Sequence, residues 1–265
     1  MAEGADFSAI GISCGGPLDS RRGIVFSPPN LPGWDKVPIT KFFSERFHVP
    51  CFLQNNANAC VLAEWKWGNG KNLDNVVFPT FGTGMGAGLI LNGKLYEGAK
   101  GLAGEIGHMR LARHGPVGYG KAGSFEGVCS GGGIAQLAQS RALELIQQGC
   151  APAFCRGLDW MPRVDARSVA EAARRGDADA QAVWKECGKY LGRGLAVLVD
   201  LLAPQAILLG SIYGRCQELL CETMYQTLYE EALQGSNSQC KILPAGLGEA
   251  IGDFAALSVA DCKVQ

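Results

Sequence analysis

The chain has 265 residues, and its 47% hydrophobic content is enough to bury one large core or two medium ones. Its 24 basic and 25 acidic residues are interspersed and leave a formal charge of -1, so no basic block is available to neutralise a nucleic-acid backbone. The longest apolar stretch, 195–203, is interrupted by Asp200 and too short for a bilayer, and no signal-like segment begins the chain, so we expect a cytoplasmic protein without membrane contact.

The cysteine pattern is typical of a reduced protein. Eleven cysteines are scattered singly through apolar segments, and no two of them form a CxxC pair. We interpret them as packing residues, and none is a candidate ligand or nucleophile.

The first third of the chain predicts alternating strands and helices. The apolar run 9–13 predicts a buried strand that ends at a tight turn, where a ligand loop could lie. The proline-rich segment 28–34 predicts an ordered loop, because proline removes donors and fixes φ. A helix from Pro38 to about Phe47 and a strand 50–53 follow, and Asn55 or Asn56 is a plausible N-cap for a helix over 57–67.

The middle of the chain predicts a local antiparallel meander. Strands 76–81 and 87–91 bracket a glycine-rich run, and Asn92-Gly93 is a favoured two-residue hairpin turn before a strand at 94–96. Beyond it the predicted elements are helices 131–148, 166–175 (capped by Asp165), 178–202 and 216–233, strands 206–209 and 241–244, and a final helix from 251. The alternation indicates an α/β fold.

The run at 80–88 places glycine at four alternate positions between two strands. Without Cβ atoms, backbone N–H groups can close on phosphate oxygens, and the Thr83 hydroxyl can add a donor. Taken alone, the run is equally compatible with a turn whose glycines serve only close packing.

Two further segments carry side chains suited to sugar hydroxyls. Glu105 and His108 lie on one predicted helical turn, and Glu126 follows Gly123-Ser124-Phe125. Carboxylates and imidazoles bind vicinal hydroxyls because each accepts or donates in a fixed direction. Singly, the same residues are more often surface charges or a satisfied core histidine.

Together these motifs resemble the ROK (repressor, open reading frame, kinase) family, which includes bacterial glucokinases and N-acetylhexosamine kinases. The matching segments, in order, are 11–19 (GISCGGPLD), 29–34 (PNLPGW), 54–59 (QNNANA), 80–88 (TFGTGMGAG), 104–108 (GEIGH) and 123–126 (GSFE). The resemblance covers essentially the whole chain.

The resemblance implies an actin-like, two-lobed α/β kinase fold that uses ATP with Mg²⁺ on a small-molecule sugar, commonly as a homodimer. We expect a small lobe over 1–75, joined by the final helix at about 250–265, and a large lobe over 76–249. The implied sugar contacts are Asn30, Asn55, Glu105, His108 and Glu126. The implied ATP contacts are Gly82, Thr83 and Gly84 for the phosphates and Gly210 near the adenine.

One departure from the family concerns the catalytic base. The family motif Glu-Asn-Asp-Ala-Asn-Ala carries an Asp that takes the proton of the sugar hydroxyl, and Asn56 occupies its position here. An amide can hydrogen-bond the hydroxyl but cannot accept its proton at neutral pH. Loss of a general base typically costs about a hundredfold to ten-thousandfold in rate.

Two further departures concern segments that the family uses. Family members open with a strand and an Asp-x-Gly-Gly-Thr phosphate loop, whereas this chain starts shortly before strand 9–13, so we expect an impaired kinase with an incomplete small lobe. In the run 117–126 all three family zinc cysteines are replaced. His108 alone cannot supply the four ligands of a structural zinc, so we expect no zinc and a loop shaped by packing of Tyr119 and Phe125.

Three hypotheses remain open. The chain is an impaired hexose or N-acetylhexosamine kinase, a non-catalytic sugar-binding or regulatory relative, or an inactive fragment. The family repressors carry an N-terminal helix-turn-helix that we do not find here, which disfavours DNA binding.

Overall fold

The computed structural model describes residues 7–28, 31–237 and 239–264. These residues form two compact units. The first contains the described residues up to Phe78, Ala87–Gly104 and the described residues from Ala245 on, and the second contains Pro79–Gly86 and Glu105–Pro244. The chain therefore passes twice from the first unit into the second and back.

Strands and helices alternate along much of the chain, which confirms the predicted α/β class. The strands are β1 (Ile10–Cys14), β2 (Leu18–Asp19), β3 (Ile24–Val25), β4 (Cys51–Asn55), β5 (Val76–Pro79), β6 (Ala87–Leu91), β7 (Lys94–Leu95), β8 (Val117–Gly118), β9 (Lys121–Ala122), β10 (Ala206–Leu209) and β11 (Lys241–Pro244). The helices are α1 (Ile39–Phe47), α2 (Asn56–Trp67), α3 (Phe125–Val128), α4 (Gly131–Gln147), α5 (Ala166–Arg174), α6 (Ala178–Leu202), α7 (Ile212–Glu231), α8 (Gln234–Asn237) and α9 (Ile251–Val264), with 3₁₀ turns at Ile106–His108, Leu158–Arg163 and Gly248–Ala250. Within the described ranges, no helix is long and apolar enough to cross a membrane.

The first unit contains three sets of strands, and the smallest is the antiparallel pair of β2 and β3. β1 and β4 run parallel, from Ile10 opposite Cys51 to Cys14 opposite Asn55. β5, β6 and β7 are neighbours in that order, and β6 pairs antiparallel with β7 across the predicted Asn92-Gly93 turn.

Small residues allow α9 to lie directly on β1 and α2. A Cβ added to Gly11 in β1 would lie 2.0 Å from the carbonyl oxygen of Ala256 in α9, so only glycine permits this approach. Ala59 and Ala255 are both fully buried in one cluster, and the Ser258 hydroxyl donates to the Ala59 carbonyl at 3.0 Å. These contacts join the beginning and the end of the described chain in one core.

A buried carboxylate fixes the end of α2. Glu64 is 0% exposed, and its Oε2 accepts the backbone N–H groups of Asn69 and Gly246 at 2.9 and 3.0 Å, while Oε1 accepts that of Leu247 at 2.8 Å. Backbone donors thus replace the water that this carboxylate loses on burial. They also tie the segment that precedes α9 to the end of α2.

The second unit is organised around α6, which packs closely against α7. A Cβ at Gly192 would lie 2.5 Å from the Met224 carbonyl oxygen, so the two backbones approach more closely than larger residues would allow. On another side of α6, a Cβ at Gly194 would overlap the ring of Phe125, which is fully buried. Strands β10 and β11 run parallel in this unit.

Two predicted boundaries are wrong. The strand predicted over 76–81 ends at Pro79, because Phe81 adopts φ +25, outside the extended region. The helix predicted from Cys216 begins at Ile212, and Cys216 has non-helical angles (φ -132, ψ 26) that mark a kink inside α7. The predicted start at Cys216 therefore coincides with an interruption of the helix.

Candidate functional site

The glycine-rich run forms a closed turn at the end of β5. The N–H of Thr80 donates to the Gly86 carbonyl at 2.9 Å, and the N–H of Gly86 donates to the Thr80 hydroxyl at 3.1 Å. The N–H of Gly82 donates to the Gly84 carbonyl at 3.0 Å. Because the Gly82 N–H already donates inside the turn, it is not available to a ligand. A ligand can still approach the Gly82 backbone closely, since no Cβ covers it.

The Glu126 carboxylate accepts a hydrogen bond from the glycine-rich turn. Ser124 caps α3 by accepting the Gly127 N–H at 3.1 Å, and this places Glu126 in the first turn of α3. The Glu126 Oε2 accepts the Met85 N–H at 2.9 Å, and a Cβ at Gly84 would lie only 2.8 Å from the same oxygen. Glu126 therefore stabilises the glycine-rich turn, through a contact that the motif alone did not indicate.

The predicted helical turn at Glu105 and His108 is a 3₁₀ turn packed against the same glycine-rich run. A Cβ at Gly107 would lie 2.2 Å from the Met85 carbonyl oxygen, so glycine is required there. Glu105 and His108 are both exposed, and the His108 ring lies edge-on to Tyr119 at 5.3 Å between centroids. The segment that carries Glu105 and His108 thus packs through Gly107 against both Met85 of the turn and Glu126.

The loop around Tyr119 differs from the expectation. Phe125 is fully buried and anchors the loop as predicted, but Tyr119 is 66% exposed, so its predicted packing role is wrong. β8 and β9 pair antiparallel on either side of it and give the loop its shape. In the described residues, no group of three or more His, Cys, Asp or Glu side chains is arranged to hold a metal ion.

Asn55 and Asn56 lie at the start of α2 in the first unit. The Asn55 Oδ1 accepts the Ala57 N–H at 2.9 Å, which confirms Asn55 as the N-cap, and the Asn56 Oδ1 accepts the same N–H at 3.0 Å. Asn56 is exposed, and its amide NH₂ is a donor. Asn30 lies outside the described residues.

A cavity of about 540 Å³ opens beside the glycine-rich turn within the second unit. The residues that line it are Gly82, Thr83, Gly131, Gly132, Asp165, Ala166, Arg167, Ala170, Glu171, Arg174, Trp184, Ser211, Ile212, Arg215 and Cys216. The turn and the N-terminus of α4 are joined here, because the Gly131 N–H donates to the Gly82 carbonyl at 2.8 Å. Ser130 caps α4 by accepting the Gly133 N–H at 3.0 Å.

The wall formed by α5 and α7 is held by Arg174. Its Nη2 donates to the Arg215 carbonyl at 2.6 Å, and its guanidinium pairs with Glu218 at 2.8 Å. This bridge spans the kink at Cys216 in α7. Burial raises the pKa of the Cys216 thiol, and the neighbouring Arg174 only partly offsets that rise.

Gly210, the residue predicted to lie near the adenine, directly precedes a residue of the cavity wall. Gly210 is buried, and its N–H faces the Pro79 carbonyl at 3.4 Å, whereas Ser211 (φ 51, ψ -107) lines the cavity. Sequence reasoning also missed Gly131, Gly132 and Trp184. The segment 130–133, a serine followed by three glycines, could have indicated Gly131 and Gly132. It combines a helix N-cap with backbone N–H groups that no side chain covers.

Comparison with known proteins identifies the family. Residues 1–261 match the ROK family. The chain is 30% identical to a glucokinase of Streptomyces coelicolor over 97% of its own length and 81% of the relative's. It is 27% identical to the xylose repressor of Bacillus subtilis over 91% of its own length, but it spans only 57% of that repressor.

A solved relative shows the same fold. The crystal structure of a ROK family glucokinase from Streptomyces griseus, in complex with glucose and AMPPNP, superposes with a TM-score of 0.80 at 31% identity, covering 98% of this chain and 83% of the other. The α/β fold is therefore that of the actin-like ATPases. On its sequence and its fold, the chain belongs to the ROK family of sugar kinases and regulators.

Proposed function

We propose that the chain is a ROK-type sugar kinase homologue that binds ATP with Mg²⁺ in the cavity of the second unit. It would transfer the γ-phosphate to a hexose or N-acetylhexosamine at a rate lowered by Asn56. Three glycines of the cavity wall carry the proposal. The nearest protein atoms to a Cβ at Gly82, Gly131 and Gly132 are at 3.5, 3.5 and 3.9 Å, and none of the three has a positive φ.

Glycine is therefore not required at these three positions by packing or by backbone conformation. Gly84 and Gly133 provide the contrast, because a Cβ there would lie 2.8 Å from Glu126 and 2.2 Å from the Gly127 carbonyl oxygen. Glycines without a packing role in a cavity wall suit a ligand that approaches the backbone directly. Phosphate groups do so at glycine-rich turns and helix N-termini.

The N-terminus of α4 supports the same assignment. α4 is 17 residues long, its first turn contains no acidic residue, and its capped end reaches the cavity through Gly131 and Gly132. The positive end of the helix dipole stabilises an anion at this place. ATP with Mg²⁺ would supply the transferable phosphoryl group, and these residues would hold its phosphates beside Thr83.

For the sugar, we propose contacts from Asn55, Glu105, His108 and Glu126. In support, Asn55 caps α2, Glu126 accepts the Met85 N–H of the glycine-rich turn, and the segment that carries Glu105 and His108 packs on that turn through Gly107. The Asn30 contact and a homodimer stay predictions from the family resemblance. The streptomycete glucokinase bound to glucose and AMPPNP supports this class of substrates.

Asn56 is expected to limit the rate. Its Oδ1 already accepts the Ala57 N–H, and the amide has no group that can take a proton from a hydroxyl at neutral pH. Phosphoryl transfer depends mainly on positioning and electrostatics, so a slow reaction can persist without the base. Asn56→Asp would place a carboxylate at the family position of the base.

The test is ADP release with a panel of hexoses and N-acetylhexosamines. We expect Asn56→Asp to raise kcat by about a hundredfold or more, because a general base typically contributes that much. Asn72→Asp is the matched control, since it makes the same amide-to-carboxylate change at an exposed residue that is not among the proposed contacts. Equal rates for both variants with every sugar would contradict the kinase proposal.

A second candidate function is the binding of a sugar without phosphorylation. It is favoured by the Asn56 amide NH₂, which can donate a hydrogen bond to a sugar hydroxyl, and by the similarity to xylose repressors. Isothermal titration would then show saturable sugar binding by the unmodified chain, and neither aspartate variant would release ADP. Absence of binding for every sugar would exclude this function.

A further inference from the structure

Ser211 occupies a strained backbone position in the wall of the cavity. Its angles, φ 51 and ψ -107, lie in a region that L-residues rarely adopt and that glycine adopts readily. The residue directly precedes α7, is exposed, and lines the cavity. Strain of this kind lowers stability and collects at ligand sites, so a serine held in this conformation requires a functional explanation.

Contacts within the protein do not account for the choice of serine at this position. Ser211 stands at the N-cap of α7, where a serine hydroxyl commonly accepts a backbone N–H, but in the described chain its side chain makes no capping bond. The Ile212 N–H donates instead to the Phe81 carbonyl at 3.1 Å. The Tyr213 N–H donates to the Gly210 carbonyl at 3.2 Å. Glycine would therefore make the same turn without the strain.

The Ser211 hydroxyl lies beside the bare backbone of Gly82. Its oxygen is the nearest atom to a Cβ built at Gly82, at 3.5 Å. The bond between Ile212 and Phe81 fixes this neighbourhood, because it joins the start of α7 to the residue that precedes Gly82. Gly131 borders the same place, since its Cβ would lie 3.5 Å from the Gly82 carbonyl oxygen and 3.7 Å from the Ile212 side chain. A ligand that approaches the Gly82 backbone therefore meets a hydroxyl.

A phosphate at this place needs a donor from a side chain. The Gly82 N–H already donates to the Gly84 carbonyl, so it does not serve a ligand. A serine hydroxyl is a donor whose hydrogen rotates toward its acceptor. Hydrogen bonds to a charged acceptor are about twice as strong as bonds between neutral groups. The Ser211 hydroxyl thus supplies what the backbone of the turn lacks at Gly82.

We propose that the Ser211 hydroxyl binds a phosphate group of the nucleotide, and that the strained backbone presents the hydroxyl to it. The proposal rests on ATP binding in the same cavity, and it adds to that function a side-chain donor at the start of α7. Substitution by a residue that tolerates positive φ then has opposite effects on stability and on affinity, because it relieves the strain but removes the donor.

The experiment measures ATP affinity by isothermal titration and Tm by a thermal melt. Ser211→Gly should raise Tm by roughly 2–4 °C, because it relieves the strain. It should also bind ATP about tenfold or more weakly, because it loses a hydrogen bond to a charged group. Ser211→Ala removes the hydroxyl and keeps the strain, so its Tm should stay unchanged while its ATP affinity falls by a similar factor. Adenosine, titrated in competition with ATP, should bind the unmodified chain and both variants equally.

Two matched controls lie in the same unit, outside the cavity wall. Ala203 ends α6 with a positive φ of 43 and is exposed, so Ala203→Gly should also raise Tm while ATP affinity stays unchanged. Ser140 is exposed on α4, so Ser140→Ala removes a hydroxyl without consequence for ATP affinity.

Several results would overturn the proposal. If Ser211→Ala binds ATP as tightly as the unmodified chain, the hydroxyl contacts no phosphate. A lower Tm for Ser211→Gly would show that the serine is not held under strain. An equal loss of affinity for adenosine and ATP in Ser211→Ala would place the contact on the nucleoside. These results concern this inference alone, whereas absence of ATP binding by the unmodified chain removes the proposed function as well.

Discussion

Glu64→Gln should destabilise the first unit strongly. The carboxylate is fully buried, and its two oxygens accept three backbone N–H groups at 2.8–3.0 Å. In glutamine one of these oxygens becomes an NH₂ group, which then faces a backbone N–H instead of accepting from it. The variant therefore loses at least one charge-assisted hydrogen bond and leaves at least one buried donor unpaired.

The magnitude follows from these losses. Hydrogen bonds to charged groups contribute about 1.5–3 kcal/mol each, and an unpaired buried donor costs about 1–3 kcal/mol. Because the peptide segments can relax, we expect a net loss of about 2–4 kcal/mol in the free energy of unfolding. For a protein of this size that corresponds to a fall in Tm of roughly 5–10 °C.

Thermal unfolding followed by circular dichroism or calorimetry at pH 7 measures this change. Glu45→Gln is the control, because Glu45 lies on the surface in an i,i+4 pair with Lys41 and its side chain is 64% exposed. Such a pair contributes little, about 0.3–0.5 kcal/mol. About 1 kcal/mol changes Tm by a few degrees in a protein of this size. A Tm of Glu64→Gln within about 1 °C of that of Glu45→Gln would therefore contradict the proposed role of the Glu64 hydrogen bonds.

Three further changes have defined outcomes. Gly11→Ala should cost about 2 kcal/mol or more in unfolding experiments, because its Cβ would overlap the Ala256 carbonyl, and a neutral result would disprove the close packing of α9. Gly84→Ala should displace Glu126 and weaken ATP binding in calorimetry while Tm changes little, so unaltered affinity would count against the turn. Burial raises the pKa of Cys60 to about 12, so the folded state holds this proton more tightly than the unfolded state. The unfolding free energy should then fall between pH 9 and 12 by up to about 1.4 kcal/mol per pH unit, and Cys60→Ala should flatten that slope in urea titrations.

Local signals predicted much of the fold. Asn55 and Asn56 were the two N-cap candidates because short polar side chains stood between a strand and a helical run, and Asn55 is the N-cap, with its oxygen accepting the Ala57 N–H. The turn at Asn92-Gly93 followed in the same way from residues that tolerate positive φ. These features depend on neighbours a few positions away, which a sequence displays directly.

The misplaced features depend on distant contacts. The start of α7 was predicted at Cys216, whereas the helix begins at Ile212, and Arg174 bridges to Arg215 and Glu218 across the kink. Gly214 in this first turn has a low helix propensity, which weakens the sequence signal for an earlier start. Propensity alone carries no information about such a bridge.

The same limit applies to the cavity. Gly82, Gly131, Trp184 and Ser211 meet in one wall although more than 125 positions separate the first from the last, as the sequence numbering shows. The motifs located the glycine-rich turn, but they gave no reason to place Trp184 beside it. Such a meeting of distant residues is visible only once the fold is known.

The packing of α9 on β1 has a consequence for synthesis on the ribosome. Gly11 and Ala59 are covered by Ala256 and Ala255, so the first unit cannot complete its core until synthesis has passed residue 256. At about 5–20 residues per second, residues near Ala59 would wait roughly 10–40 s for their partners. The second unit, Pro79–Gly86 and Glu105–Pro244, emerges within that interval and can fold first. The N-terminal strands would meanwhile be exposed to chaperones and to neighbouring nascent chains.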